Sequence, residues 1–328
     1  MEVTADLIAK LLEAAEKSYD FLTVDDIEFY IPGATKNSDF YSSIIYILEN
    51  KLGILIFKND EDAIDLYKNL ADEGEVKYQF LLGKIYFDGL IVKSNWNTAQ
   101  EYFLKAKKND HLEASYYLAE MFLTTDNKEA KEVALTELMI IAEKGSVKAQ
   151  CRLAEIFGWG LYGVKINLDK AHYACNQAVK QKFPKSFLIF AKLCSIGGGE
   201  NNEYDHILPF LRLAAEFGEV EAQGLLFEIL KNEEGESVYE KQSKCIIKRQ
   251  LNLFESLAWA EIAAKGSMRG DLAASDFLNE QAKIIKDKLS QTEIKQSNLI
   301  RDDLLKKIEN NKNNTFAKKL TGIDLNSI

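Results

Sequence analysis

Apolar residues along this chain recur at helical spacing and, over a longer distance, in near-copies of one another. The first stretch, MEVTADLIAKLLEAAEKSYD, sets Leu7, Leu11, Leu12 and Ala15 on one side and charged residues around the rest, which predicts an amphipathic helix. The following FLTVDDIEFYIPG keeps no helical period and reads as an irregular or short β segment. Beyond residue 40 one block returns five times: YQFLLGKIYFDG (78–89), ASYYLAEMF (114–122), AQCRLAEIFGWG (149–160), SFLIFAKLCSIGG (186–198) and AQGLLFEIL (222–230). Aligned on Leu82, Leu118, Leu153, Phe190 and Leu226, the copies are separated by 36, 35, 37 and 36 residues. A fixed period of this length belongs to arrays in which no unit buries its apolar face alone and neighbours stack.

The punctuation between blocks repeats as well. Four residues before each block stands Gly74, Asp110, Gly145, Lys182 or Gly218, and three before that Ala71, Lys107, Ala142, Val179 or Ala215. The A-x-x-G form ends a helix, because glycine just past the last turn adopts a left-handed conformation without a Cβ clash. After the blocks come Ile56-x-x-Asn59-x-x-x-Ala63, Val92-x-x-Asn95-x-x-x-Ala99 and Val164-x-x-Asn167-x-x-x-Ala171. An asparagine side chain there accepts an orphan backbone N–H and N-caps a second helix. The alanine pairs Ala99/Ala106 and Ala171/Ala178 share a face and admit a close neighbour. The units are thus helix, turn, helix: roughly 40–74, 75–110, 111–145, 146–182, 183–218 and 219–266, the last with the polar insertion NEEGESVYEKQSK (232–244). Two of them replace the glycine turn, with TTDNKE and with GGGENNEYD.

The order L-G-x-x-Y-x-x-G, G-V-x-x-N-x-x-K-A, A-x-x-G-x-x-x-A, clearest at 78–106 and 149–178, resembles the Sel-one-like repeat (SLR), a relative of the tetratricopeptide repeat. The segment around SLAWAEIAAKG resembles the final helix pair of bacterial members. The resemblance implies an all-α fold, a right-handed α-solenoid of about six helix-turn-helix repeats. An N-terminal capping segment (1–39), repeats (40–268), a C-terminal capping helix pair (269–311) and a flexible tail (312–328) are expected. For activity the resemblance says little, since the family's defining residues build helices; its members include scaffolds, adaptors and inhibitors.

Composition narrows the function classes. With 47% hydrophobic and 28% charged residues and only three prolines, the chain suits a packed, mostly helical protein. Its net charge of −10 without a basic block argues against nucleic acid and suits a protein or peptide partner, a basic one included. Glu2, Asp6, Glu13 and Glu16 near the start do not fit a signal peptide, and runs such as ILIF (54–57) are too short to span a bilayer; the expected location is the cytoplasm. Cys151, Cys175, Cys194 and Cys245 lack metal-ligand spacing and read as buried free thiols. His111, His172 and His206 are scattered, so neither a catalytic constellation nor a cofactor is expected. GWGLYG (158–163) has the G-x-G-x-x-G spacing of a dinucleotide turn. It lacks the preceding strand and the acidic residue about 20 positions later that such a site needs, and reads instead as the turn of the fourth repeat.

A helix-pair array exposes its first helices on a concave face that holds peptides or proteins. Candidate contacts are Lys77, Gln79, Lys84, Ser115, Glu120, Lys148, Arg152, Glu155, Lys185, Lys192 and Glu221 on those helices, with Trp96, Trp159 and Tyr162 in turns as possible anchors. Tyr116, Tyr117, Phe122, Tyr173 and Phe190 fall at packing positions. The leading expectation is a non-enzymatic interaction scaffold; the alternatives are an immunity- or antitoxin-like inhibitor and an enzyme-regulating module.

Overall fold

The computed structural model describes residues 5–33, 38–196, 207–231, 253–267 and 272–320. Among them are sixteen α-helices and one pair of three-residue strands. Contacts group the chain into two compact units, one mainly Met1–Glu137 and the other Leu138–Lys312.

The first unit opens with α1 (Ala5–Lys17), β1 (Phe21–Thr23) and α2 (Val24–Tyr30). VDDIEFY is therefore a helix, contrary to its irregular sequence pattern. Its start is fixed by a capping box: the Thr23 Oγ1 accepts from Asp26 N at 3.2 Å while Thr23 N donates to Asp26 Oδ2 at 2.7 Å, satisfying two orphan N–H groups at once. α3 (Ser38–Tyr46) runs on into one wider turn and then β2 (Leu55–Phe57), which pairs in parallel with β1, Leu22 opposite Ile56. Ile8, Leu11, Leu22, Ile27, Ile44 and Leu48 form the core here.

From α4 onward the chain is helix pairs: α4 (Asp60–Asp72), α5 (Val76–Asp88), α6 (Trp96–Lys107), α7 (Leu112–Leu123) and α8 (Lys128–Glu143), then α9 (Val147–Trp159), α10 (Leu168–Lys180), α11 (Pro184–Ile196), α12 (Ile207–Glu216), α13 (Val220–Lys231) and α14 (Leu253–Ser267). Each expected N-cap is in place: Asn59, Asn95 and Asn167 accept from Asp62 N, Thr98 N and Lys170 N at 2.9, 3.2 and 3.0 Å. Asn127 does the same for Ala130 N at 3.1 Å. Ala63, Ala99, Ala106, Ala171 and Ala178 are fully buried, where a larger side chain would push helices apart.

The helix ends share one pattern at all five boundaries. Gly74, Asp110, Gly145, Lys182 and Gly218 all have positive φ. Their N–H groups reach back to the carbonyls of Ala71, Lys107, Ala142, Val179 and Ala215, and those of Glu75, His111, Ser146, Phe183 and Glu219 to one residue earlier, the paired bonds of a Schellman closure. The glycines sit at φ 93 to 99, the aspartate and lysine at 56 and 57, the only left-handed pocket a side chain tolerates.

In the second unit Leu188, Leu211, Phe227, Trp259 and Leu278 belong to one core. α15 (Leu272–Lys288) and α16 (Gln291–Leu320) follow. α16 continues past residue 312, where the sequence reading starts a tail. The half-buried Glu261 of α14 ties both helices down, pairing with Lys286 and, at 2.7 Å, with Arg301. Burial alone would raise its pKa, but the two cations hold the carboxyl below its ordinary range. The insertion 232–244, the GGGENNEYD turn, His206 and Cys245 lie outside the described residues.

Candidate partner-binding face

The first helices carry charged side chains that meet across helix boundaries. In the second unit Arg152 and Glu155 lie one turn apart on α9 and pair at 3.0 Å, and Glu155 also pairs with Lys185 of α11 at 3.0 Å. Further along, Lys192 of α11 pairs with Glu221 of α13. Arg152 donates from Nη2 to the Tyr162 hydroxyl at 2.5 Å, and its guanidinium carbon lies 5.5 Å from that ring's centroid. Tyr162 sits in the turn after α9 with φ 57, an unfavourable conformation for a bulky residue, so the arginine contact holds a strained side chain in place. Glu219 at the entry to α13 is half-buried; burial raises its carboxyl's pKa despite nearby Lys185.

In the first unit Lys77 pairs with Asp20 at 3.3 Å, and Lys84 Nζ lies 5.3 Å over the Tyr19 ring. The Tyr19 hydroxyl donates to Asp88 at 3.2 Å. Asp20 and Glu219 escape the sequence reading because they lie in loops outside the repeated block, and Asp88 because it is the last residue of α5, where the other copies carry no acid. Glu120 and Lys148 are half-buried on α7 and α9.

Expectations at five residues need correction. Gln79 is buried: its Nε2 donates to Ala71 O at 3.0 Å, as Gln150 does to Ala142 O at 3.0 Å and Gln223 to Ala215 O at 3.1 Å. Ser115, at the same register, is 5% exposed, so neither it nor Gln79 reaches a partner. A polar side chain returning at Gln79, Ser115, Gln150 and Gln223, in four of the five copies with Phe187 in the other, was the available signal, since a position that stays polar on the packed face is expected to bond backbone. Trp96 and Trp159 are the first residue of α6 and the last of α9, not turn residues. Trp96 stacks on Phe87 with centroids 5.3 Å apart and stays 46% exposed; Trp159 is half-buried. Finally, Tyr173 is 69% exposed and does no core packing.

The glycines of GWGLYG have separate tasks. Gly160 closes α9 with φ 67 and Gly163 follows with φ 80. Gly158 bends nothing: it is helical, and a Cβ there would stand 2.4 Å from Leu193 Cδ2. A helix, not a strand, precedes the motif, so it does not have the form of a dinucleotide turn.

Groups with reactive potential are engaged in packing. His111 Nδ1 accepts from Ala114 N at 3.2 Å and its ring stacks on Phe80 at 4.4 Å; burial lowers its pKa. His172 meets Phe190 edge-on at 5.9 Å. Cys151, Cys175 and Cys194 are buried free thiols. Burial pushes Cys151 up to about 12 and Cys175 higher still, so neither presents the thiolate that nucleophilic chemistry requires. Among the described residues no three His, Cys, Asp or Glu side chains are grouped to hold a metal ion, and no helix is long and apolar enough to cross a membrane.

No family model matches the chain. Over 107 residues it is 31% identical to the alginate biosynthesis protein AlgK of Azotobacter vinelandii, a match covering 32% of this chain and 23% of that protein. The chain therefore spans about a quarter of that relative's length. A crystallised Sel1 repeat protein from Oxalobacter formigenes superposes with a TM-score of 0.53 at 24% identity, over 78% of this chain and 95% of that one. The protective antigen c5321 of uropathogenic Escherichia coli, which displays an SLR fold, gives a TM-score of 0.49 at 19% identity over 89% and 66%. Helix order, caps, turn geometry and the likeness to the Oxalobacter protein agree: this chain has the Sel1-repeat fold.

Proposed function

We propose that this protein is a non-enzymatic interaction scaffold that holds a protein or peptide against its first-helix face. The observation that carries the reading is the set of charged side chains on α9, α11 and α13, linked as Arg152–Glu155–Lys185 and Lys192–Glu221, beside the Arg152–Tyr162 contact. Ion pairs already formed in the free protein cost little ordering entropy when a partner adds to them, and Lys185 and Glu221 keep 49% and 59% of their side chains exposed to such a partner. Their role fits recognition. The net charge of −10 favours a basic partner, with charge setting encounter rate and selectivity more than affinity.

Toxin neutralisation is the second reading, supported by that charge alone; an enzyme-regulating module has no residue-level support. A cytoplasmic setting remains part of the proposal. The test is affinity capture from the native cell, with the native chain and an Arg152→Ala/Tyr162→Ala variant as baits, each checked by circular dichroism. The reading expects a co-purifying protein that the folded variant loses; identical capture by both baits overturns it.

A further inference from the structure

The second helices carry a cavity whose shape has a counterpart elsewhere in the chain. It has a volume of ≈540 Å³ and lies between α8 and α10 above α9, walled by Met139, Glu143, Phe157, Tyr173, Ala174 and Gln177, within the range of about 300–1,000 Å³ typical of binding pockets. Two repeats earlier the equivalent groove lies between α4 and α6 above α5, and there the chain fills it. Tyr102 stands where Ala174 stands, and stacks on Tyr86, the counterpart of Phe157, with centroids 6.1 Å apart and planes 4° from parallel. Lys105, the counterpart of Gln177, lies 5.1 Å over the Tyr102 ring and pairs at 3.3 Å with Asp72, the counterpart of Glu143. The same register carries Leu66 on α4 and Phe210 on α12, and Phe210 packs 4.5 Å from Phe190. Ala174 thus opens a space that bulkier side chains occupy in other copies of this groove.

We infer that this groove is a docking site for a partner protein's aromatic side chain, tyrosine or phenylalanine, with a lysine or arginine beside it. The ring would lie on Phe157 in the place Tyr102 takes on Tyr86, and the cation would meet Glu143 as Lys105 meets Asp72. Tyr173, 69% exposed on the rim, would be covered by the incoming partner. Lys170, whose Nζ lies 5.3 Å from the Phe157 ring, must swing aside; its long stem makes that inexpensive. The site is on the second helices and stands whether or not the first-helix face binds anything.

The test uses two probes, p-cresol and an end-blocked peptide of residues 96–107, WNTAQEYFLKAK, titrated into the full chain with methyl NMR of Met139 and Leu153 as readout. Both probes are expected to shift these signals, with millimolar or better affinity for the peptide. Replacing the peptide tyrosine by alanine should weaken it about tenfold or more, and Glu143→Gln should weaken the unaltered peptide roughly two- to fivefold, as for a rim ion pair. Ala174→Tyr, which copies the filled groove, should abolish binding of both probes with thermal stability kept. If that variant does not fold, Ala174→Leu, which copies Leu66 at the same register, takes its place. Absence of shifts at Met139 and Leu153, or undiminished binding to the filled variant, overturns the inference.

Discussion

The repeats 75–110 and 146–182 share their punctuation but not their filling. Both begin their second helix with an asparagine cap, close their first helix on a left-handed glycine, Gly89 or Gly160, and bond a buried glutamine to the preceding alanine carbonyl. Inside, one pair of positions exchanges large for small and another is larger in the first repeat at both positions. In the first, Gly83 lies under the buried Phe103, with a Cβ position 2.4 Å from the ring; in the second the counterparts are Ala154 and Cys175. Phe87 and Trp96 stack in the first, where the second has Gly158 and Leu168. Backbone-directed polar groups set the repeat geometry, while the filling differs: of these four positions only Gly83 is smaller than its counterpart, and Phe87, Trp96 and Phe103 are each larger than Gly158, Leu168 and Cys175.

This comparison breaks most visibly at the paired core positions. Phe103→Cys alone should cost about 3–5 kcal/mol by leaving a cavity, and Gly83→Ala alone about 1–3 kcal/mol by overpacking. The double variant, which imitates the other repeat, should be more stable than the sum of the two by roughly 1 kcal/mol or more; additive costs in urea unfolding would refute the exchange of volumes. Next come the glutamines. Gln150 is bonded at both ends, its Oε1 accepting from Gln181 at 2.8 Å, whereas the Gln79 Oε1 has no protein partner. Gln150→Leu should therefore lose about 1–3 kcal/mol and Gln79→Leu about 1 kcal/mol less, measured the same way. Smaller still, Lys182→Gly should stabilise by about 0.4–1 kcal/mol by relieving left-handed strain, as should Asp110→Gly.

The smallest effect is a pH dependence. At the starts of the first helices of repeats 111–145 and 146–182, His111 caps α7 through a neutral ring nitrogen, while the comparable cap of α9 is Ser146, which does not titrate. Burial, opposed by Glu113, lowers the His111 pKa below its ordinary 6.5. The unfolded chain then binds more protons between the two values, so stability is complete above 6.5 and declines as the pH falls towards the folded value. His111→Ser should remove that part of the acid slope in thermal unfolding; an unchanged slope would show the cap plays no part in it.

Much of the fold was legible because its instructions are local. Asparagine caps, the A-x-x-G ends and the buried alanines are short-range chemistry stamped out at a fixed period, and they fall where the spacing puts them. The β1–β2 pair was not legible: three residues each, FLT and LIF, have no period to read, and their pairing is made across the intervening α2 and α3. Asn127 was hidden inside TTDNKE, where the valine three residues before the asparagine is absent. The candidate face was half legible. Arg152, Glu155, Tyr162, Lys185, Lys192 and Glu221 do meet, but polarity alone could not distinguish them from Gln79, which bonds backbone in the core.

The alternation of glutamine with other residues at that buried register, Gln79, Ser115, Gln150, Phe187 and Gln223, has a mechanical side. At boundaries 74/75, 145/146 and 218/219 the amide reaches eight residues back and fastens one helix pair to the next. At 110/111 Ser115 is too short to do so, and at 182/183 Phe187 has no polar side-chain group; the nearest substitute at the latter is the Cys175 thiol, which donates weakly to Ser186 O at 3.4 Å. A side-chain amide thus ties the joints at 74/75, 145/146 and 218/219, and no such amide ties the two joints between them.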